Sequence, residues 1–263
     1  MSQSVRIRRG LNINLLGEAD KVYASVKNHN IYAIKPTDFH GLTPKLSAKV
    51  GDKVLAGSVI FFDKYNERIK FCSPVSGTVK DIVRGEKRRI LEVIIESDNE
   101  QKYESHSPLN VKNANREQLI DHMLSKGVWP FIRQKPYDII ANPSDMPKAI
   151  FISAFKSGPL AIDNDFALYG MDDLFQSGLD IITKLTNGKT HLNLDGNTNS
   201  SKVFSEAKGV EINSFSGPHP AGNVGVQIHH INPINKGDIV WYLEPQDVIV
   251  IARLFNEGKY DVS

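Results

Sequence analysis

The stretch Lys49-Val-Gly-Asp-Lys-Val-Leu-Ala-Gly57, running into Ser58-Val-Ile-Phe-Phe62, decides the reading of the first hundred residues together with Ser73-Pro-Val-Ser-Gly-Thr-Val79. Each passage sets a short apolar run against glycines, and neither carries a helical period. Gly51, Gly57, Gly77 and Gly85 fall where tight turns or bulges need backbone angles that other residues resist. Working outward, Val5 and Ile7 alternate with polar neighbours, and Asn30-Ile-Tyr-Ala-Ile34 is a short strand stopped by Pro36. Lys80-Asp-Ile-Val83 and Ile90-Leu-Glu-Val-Ile-Ile95 flank a Gly85 turn, with Lys87-Arg88-Arg89 as its solvated tip. From Val5 to Ile95 the pattern is that of a small β-barrel.

The rhythm changes after a polar passage from Ser97 to Asn113. Leu119, Ile120, Met123 and Leu124 have helical spacing, and Gly127 closes the turn. Lys148-Ala-Ile-Phe-Ile-Ser-Ala-Phe155 is apolar without alternation, as strands buried on both faces require. A helix through Leu174, Leu179, Ile182 and Leu185 follows, then strands at His191–Leu194, Val210–Phe215 and Ile239–Leu243, and a helix from about Pro245 to Asn256. Alternating strands and helices imply an α/β layer with a mostly parallel sheet. The expected fold class is α/β plus β: a lipoyl/biotinyl-like barrel-sandwich hybrid over residues 1–100, a linker over 101–112, and a Rossmann-like α/β domain over 113–258. The chain stops at Asp261-Val-Ser263 without a closing element, which suggests a trimmed C-terminus.

Composition narrows the function classes. With 263 residues, 40% hydrophobic and 24% charged, the chain has the make-up of a globular protein with room for two domains. A net charge of +2 from 32 basic and 30 acidic side chains predicts neither a nucleic-acid stripe nor a polybasic membrane patch. The single Cys72 excludes an internal disulfide framework and any Cys-based zinc or iron–sulfur site, and fits a reducing compartment. The N-terminal residues lack a signal-peptide core, and no run reaches the roughly 18 apolar residues needed to span a bilayer. A soluble intracellular protein is expected, held at any membrane by other chains.

Three site candidates emerge. The barrel passages resemble the lipoyl and biotinyl carrier domains, in which similar Gly- and Pro-containing passages flank a hairpin bearing a modified lysine; here Asp63-Lys64 imitates the lipoyl pair. The hairpin from Lys64 to Pro74 reads as too long and too charged for a modifying ligase, and the biotin-type Met-Lys-Met is missing, so an unmodified scaffold is the leading reading and a carrier on Lys64 the alternative. Second, Gly217-Pro-His-Pro-Ala-Gly222-Asn-Val-Gly225 enters a helix and could offer backbone N–H groups to an anion, but Asn223-Val224 stand where a P-loop needs Lys and Ser/Thr. Phe155-Lys-Ser-Gly-Pro-Leu160 lies just past a buried strand, where open α/β sheets bind ligands, and with the glycine loop it makes one expected crevice. Third, Trp129-Pro-Phe-Ile-Arg-Gln-Lys-Pro-Tyr137 mixes aromatic rings and cations, suited to a flat ligand or to interdomain burial. His229 and His230 point to different helix faces and do not chelate together, so no metal site is expected; no Gly-x-Ser-x-Gly elbow supports a hydrolase.

Taken together, Ile7-Arg-Arg-Gly-Leu-Asn-Ile-Asn-Leu15, Lys35-Pro-Thr-Asp-Phe-His-Gly-Leu-Thr-Pro-Lys45, Phe61-Phe-Asp-Lys64, Ser73-Pro-Val-Ser-Gly77, Gly127-Val-Trp-Pro-Phe131, Ser157-Gly-Pro-Leu160 and Ser216-Gly-Pro-His-Pro-Ala-Gly222 resemble the NqrA family, whose members belong to the bacterial sodium-translocating NADH:quinone reductase. The resemblance spans essentially the whole chain, and the family's chains are longer, so a C-terminal part is expected to be absent here. It implies a peripheral subunit on the cytoplasmic face of the bacterial inner membrane, in a complex that oxidises NADH, reduces ubiquinone and exports Na+. It implies the membrane subunits as partners, with flavins, iron–sulfur and Na+ in those partners and no cofactor or catalytic residue in this chain. Ubiquinone is the implied ligand, with candidate contacts Trp129, Phe131, Arg133, Lys135, Tyr137, Phe155, Ser157, Gly158, His219 and Gly222. The family is related in fold to the electron-entry subunits of complex I and of the Rnf complex, so a flavin- or NADH-binding oxidoreductase is the alternative. This sequence has neither their consecutive-glycine loop nor their cysteine cluster.

Overall fold

The computed structural model describes residues 2–17, 19–24 and 29–263. From the N-terminus the strands are β1 (Ser4–Arg6), β2 (Ile31–Ile34), β3 (Pro44–Leu46), β4 (Lys53–Val54), β5 (Val59–Asp63), β6 (Lys70–Cys72), β7 (Gly77–Arg84) and β8 (Ile90–Ser97). Helix α1 (Arg116–Ser125) precedes β9 (Arg133–Lys135), β10 (Ile139–Ile140) and β11 (Ala149–Ser153). Then come α2 (Asn164–Ala167), α3 (Asp172–Ile182), β12 (Lys189–Asp195), α4 (Lys202–Ser205), β13 (Glu211–Ser216), α5 (Val224–Ile231), β14 (Val240–Leu243) and α6 (Pro245–Glu257). The chain divides into two compact units.

The unit of residues 25–131, 138–141 and 253–263 contains the expected barrel-sandwich hybrid. Its antiparallel strands form two sheets, β2-β8-β7-β4 and β3-β5-β6. Alternation puts Val79, Val93 and Ile95 fully inside, while Phe61 and Phe71 stack at 4.7 Å between ring centres and Phe39 meets Phe71 edge-on. The turn expectation holds at Gly51 and Gly57, whose φ values of 92° and 101° suit glycine. The hairpin bearing Lys64 is tighter than the sequence suggested: Phe62 already pairs with Lys70, and the Asp63 amide donates to the Ile69 carbonyl.

The expected linker is not a free tether. The Ala56 amide donates to the Lys102 carbonyl, the Glu104 amide donates to the Ala56 carbonyl, and the Ser76 amide donates to Gln101 Oε1, so this strip is stitched along the barrel. Helix α1 begins with a capping box between Asn115 and Gln118 and buries Leu119, Ile120, Met123 and Leu124, the residues whose spacing predicted it.

The other unit, residues 1–24, 132–137 and 142–252, holds an α/β sheet in the order β1-β13-β12-β11-β14-β9. The first five strands are parallel and β9 runs antiparallel to β14. All of β11 is buried, which explains its unbroken apolar run. One assignment is corrected: the Val5/Ile7 strand belongs not to the barrel but to this sheet, with Ser4 opposite Ser214 and Arg6 opposite Ser216. Ile7 then joins Phe155, Phe215 and Ala221 in one buried cluster, a stronger apolar anchor than an open barrel edge. Helix α5 sets Ile228 against Ala149, Phe151 and Val240.

Candidate functional site

Counting β11, β12 and β13 outward and then β14 on the far side of β11, the strand order reverses between β11 and β14. Open α/β sheets bind ligands beyond the carboxyl ends of the strands at such a point. A crevice of about 560 Å3 lies there, lined by residues that follow β11 (Lys156, Ser157, Gly158), Tyr242 of β14 and Glu244 just after it, Lys135 of β9, His219 and Gly222 of the loop into α5, and the first turn of α5. Its size is that of a small-molecule site.

The loop is held by its glycines. At Gly222 a side-chain methyl would collide with the Ser157 amide, and at Gly217 φ is +116° with the Ile7 carbonyl against the α-carbon. This close approach lets the Gly222 amide donate to Ser157 Oγ at 2.8 Å, and Ser157 Oγ stands 3.1 Å from His219 Nδ1. Ser157 Oγ thus accepts from the Gly222 amide and also shares a hydrogen bond with His219 Nδ1 whose direction follows the tautomer of the ring. Asn12 Oδ1 accepts from the His219 amide and the Leu11 amide donates to the His219 carbonyl, so the backbone on both sides of this ring is fixed by the N-terminal segment.

The walls are charged and aromatic. Lys156 is ion-paired with Glu244, and Lys135 Nζ lies 5.2 Å over the Tyr242 ring. Behind them, burial pushes the Asp247 carboxyl up to about 7 even though it accepts the Glu244 amide at 2.9 Å. The crevice is rich in donors: Ser157 and His219, two ammonium groups, and the first turn of α5.

Ser157, Gly158, His219, Gly222 and Lys135 thus converge, as the strand-end and loop readings expected. The rest of the candidates are elsewhere. Phe155 is packed in the cluster with Ile7. Trp129 is fully buried, its indole N–H donating to the Ala141 carbonyl at 2.7 Å, and Phe131 stacks on Tyr260. Arg133 is half-buried on β9, and Tyr137 is exposed without lining the crevice. His229 and His230 are both exposed, their rings 5.3 Å apart and edge to face rather than on separate faces. Among the described residues no group of three His, Cys, Asp or Glu side chains could hold a metal, and no helix is long and apolar enough to cross a membrane. The sequence reading missed Tyr242, Glu244 and the role of Lys156. The available signal was their position just after, or at the end of, an apolar strand.

The architecture defines a class: a barrel-sandwich hybrid joined to a doubly wound α/β domain with a crevice at its switch point. Residues 5–98 match the NqrA N-terminal barrel-sandwich hybrid domain, and residues 114–260 match the NqrA second alpha/beta domain. The chain belongs to the NqrA family. It is 35% identical over 261 residues to the NqrA protein of the Na(+)-translocating NADH-quinone reductase of Saccharophagus degradans, covering 98% of this chain and 58% of that protein. The corresponding proteins from Marinomonas sp. and Pseudomonas aeruginosa are each 33% identical to it, with 57% of their length covered. The chain therefore spans a little over half the length of these relatives.

Proposed function

We propose that this chain acts as a peripheral component of a Na+-translocating NADH:quinone reductase, on the cytoplasmic face of the membrane, and that its crevice receives the quinone headgroup. The relatives' names support the assembly, and the convergence of Ser157, His219 and Gly222 with Lys135 and Lys156 carries the ligand reading. A quinone is a flat ring with two acceptor oxygens. The crevice matches it with an aromatic wall at Tyr242 and with donors at Ser157, His219 and the lysines, so these side chains would orient the carbonyl oxygens. The chain performs no redox step in this reading: one cysteine cannot ligate an iron–sulfur cluster, and electron carriers belong to the membrane partners.

Calorimetric titration of the chain with a soluble short-chain ubiquinone tests the ligand reading. Saturable binding that is weakened by Ser157→Ala and by His219→Ala is expected, and a flat titration overturns it. A flavin- or nucleotide-binding reading is favoured by one observation, the first turn of α5 opening onto the crevice. Protein purified with a flavin absorption band would replace quinone with that ligand.

A further inference from the structure

The sheet of the α/β unit hides a chain of polar side chains that none of the roles above uses. Asn193 and Gln227 are fully buried, and Asn213 and His191 nearly so. Four polar groups in an apolar layer are costly unless each finds partners. Here they form one line. Asn213 Nδ2 lies 3.3 Å from His191 Nδ1 and donates to Asn193 Oδ1 at 2.9 Å. Asn193 Nδ2 donates to Gln227 Oε1 at 2.9 Å, and Gln227 Nε2 donates to the Ala221 carbonyl at 3.3 Å. At its other end the line takes in the N-terminal strand, since the Gln3 amide donates to Asn213 Oδ1 at 3.2 Å.

The direction of donation is consistent throughout. Each amide gives its N–H to the next carbonyl oxygen or ring nitrogen, and Gln227 donates to the residue before Gly222. Ala221 sits between His219 and Gly222, the two loop residues that meet Ser157. Its carbonyl is therefore the point at which the sheet interior grips the loop.

We infer that Asn193 and Gln227 are positioning residues for the crevice, holding the 217–225 loop so that His219 and Gly222 close on Ser157. This rests on the reading of the crevice as the ligand site, but the hold on the loop is measurable without a ligand. Gln227 reaches the loop from the first turns of α5, and Asn193 fixes the rotamer of Gln227 from β12, so neither touches the ligand itself.

The test uses the whole chain. Gln227→Leu and the double variant Asn193→Leu/Gln227→Leu are compared with wild type by hydrogen exchange at the Gly222 amide, normalised to the Leu192 amide in β12. The double variant removes the Asn193–Gln227 bond from both sides, so its added loss of stability is smaller than that of two independent changes. A merely structural role predicts that Gly222 and Leu192 exchange faster together, in proportion to the stability lost. Positioning predicts that Gly222 exchanges about tenfold faster in both variants while Leu192 stays protected, and that affinity for the soluble ubiquinone falls about tenfold. Exchange at Gly222 that stays at the wild-type rate, or rises only in step with Leu192, overturns the inference. If wild type binds no quinone, the ligand reading fails, and the exchange result still decides the positioning role.

Discussion

Gly178 of α3 lies so close to Val248 of α6 that a methyl group on its α-carbon would stand 2.5 Å from both the Val248 carbonyl oxygen and its Cγ1. The two helices approach at a distance that only a missing side chain permits. Gly178→Ala is therefore expected to lower stability by about 1–3 kcal/mol, as overpacking does, despite the better helix propensity of alanine. Val248→Ala removes the side-chain clash and leaves the backbone one, so the double variant should recover only part of the loss in urea melts.

The serine at the crevice should show a different signature. Ser157→Ala leaves the buried Gly222 amide without its acceptor. A cost of about 1–3 kcal/mol is expected, together with weaker quinone binding, whereas Ser157→Thr should retain both. Denaturant titration and calorimetry on the same samples would separate the effects.

Two buried titrating groups oppose one another. Burial pushes the His191 imidazole down to about 4. A depressed histidine binds fewer protons folded than unfolded, so its contribution is present above the unfolded value near 6.5 and is lost as pH falls toward 4. Relative to His191→Gln, wild type should lose on the order of 3 kcal/mol between those limits. Asp247, raised to about 7, has the reverse sign. Its contribution is full below about 4 and is lost as pH rises through 7. Relative to Asp247→Asn, wild type should weaken with rising pH across the same window, so the wild-type profile itself is flatter than either difference curve.

At the barrel, Lys64 Nζ lies 5.9 Å over the exposed Tyr65 ring. The scaffold reading expects intact-mass analysis to give the unmodified chain, and a lipoyl increment on Lys64 would refute it.

How far the sequence discloses this fold depends on how local each cause is. Strand β11 is legible because all of its side chains are buried and therefore all are selected to be apolar or small. Strand β9 is not legible, because Arg133-Gln-Lys135 has one buried member, Gln134, whose Oε1 accepts from the Trp241 indole 3.0 Å away. Nothing adjacent to Gln134 in sequence signals that partner. The same applies to Val5 and Ile7, which alternate as a strand should but pair with residues near Phe215. Ser157 is accessible because it follows the buried strand β11, and His219 and Gly222 because they lie in a Gly/Pro-rich loop that leads into α5. Tyr242 and Glu244 stand at the end of an apolar strand, which is a local signal, but that this strand borders β11 follows from the strand order, which no local pattern encodes.

The pairing of β1 with β13 has a consequence for biosynthesis. The barrel strands, residues 31–97, are an insertion between the first strand of the α/β sheet and all the others. Ser4–Arg6 leaves the ribosome early, yet its partner Glu211–Ser216 is made only after the barrel and three further strands of this sheet, β9, β11 and β12. The barrel closes through antiparallel pairings contained within residues 31–97 and can fold while the α/β unit is still missing its outer strand partner. Until residue 216 has emerged, the N-terminal strand is an unpaired edge that the nascent chain must keep from other partners, with Arg6, Arg8 and Arg9 as its charged guards.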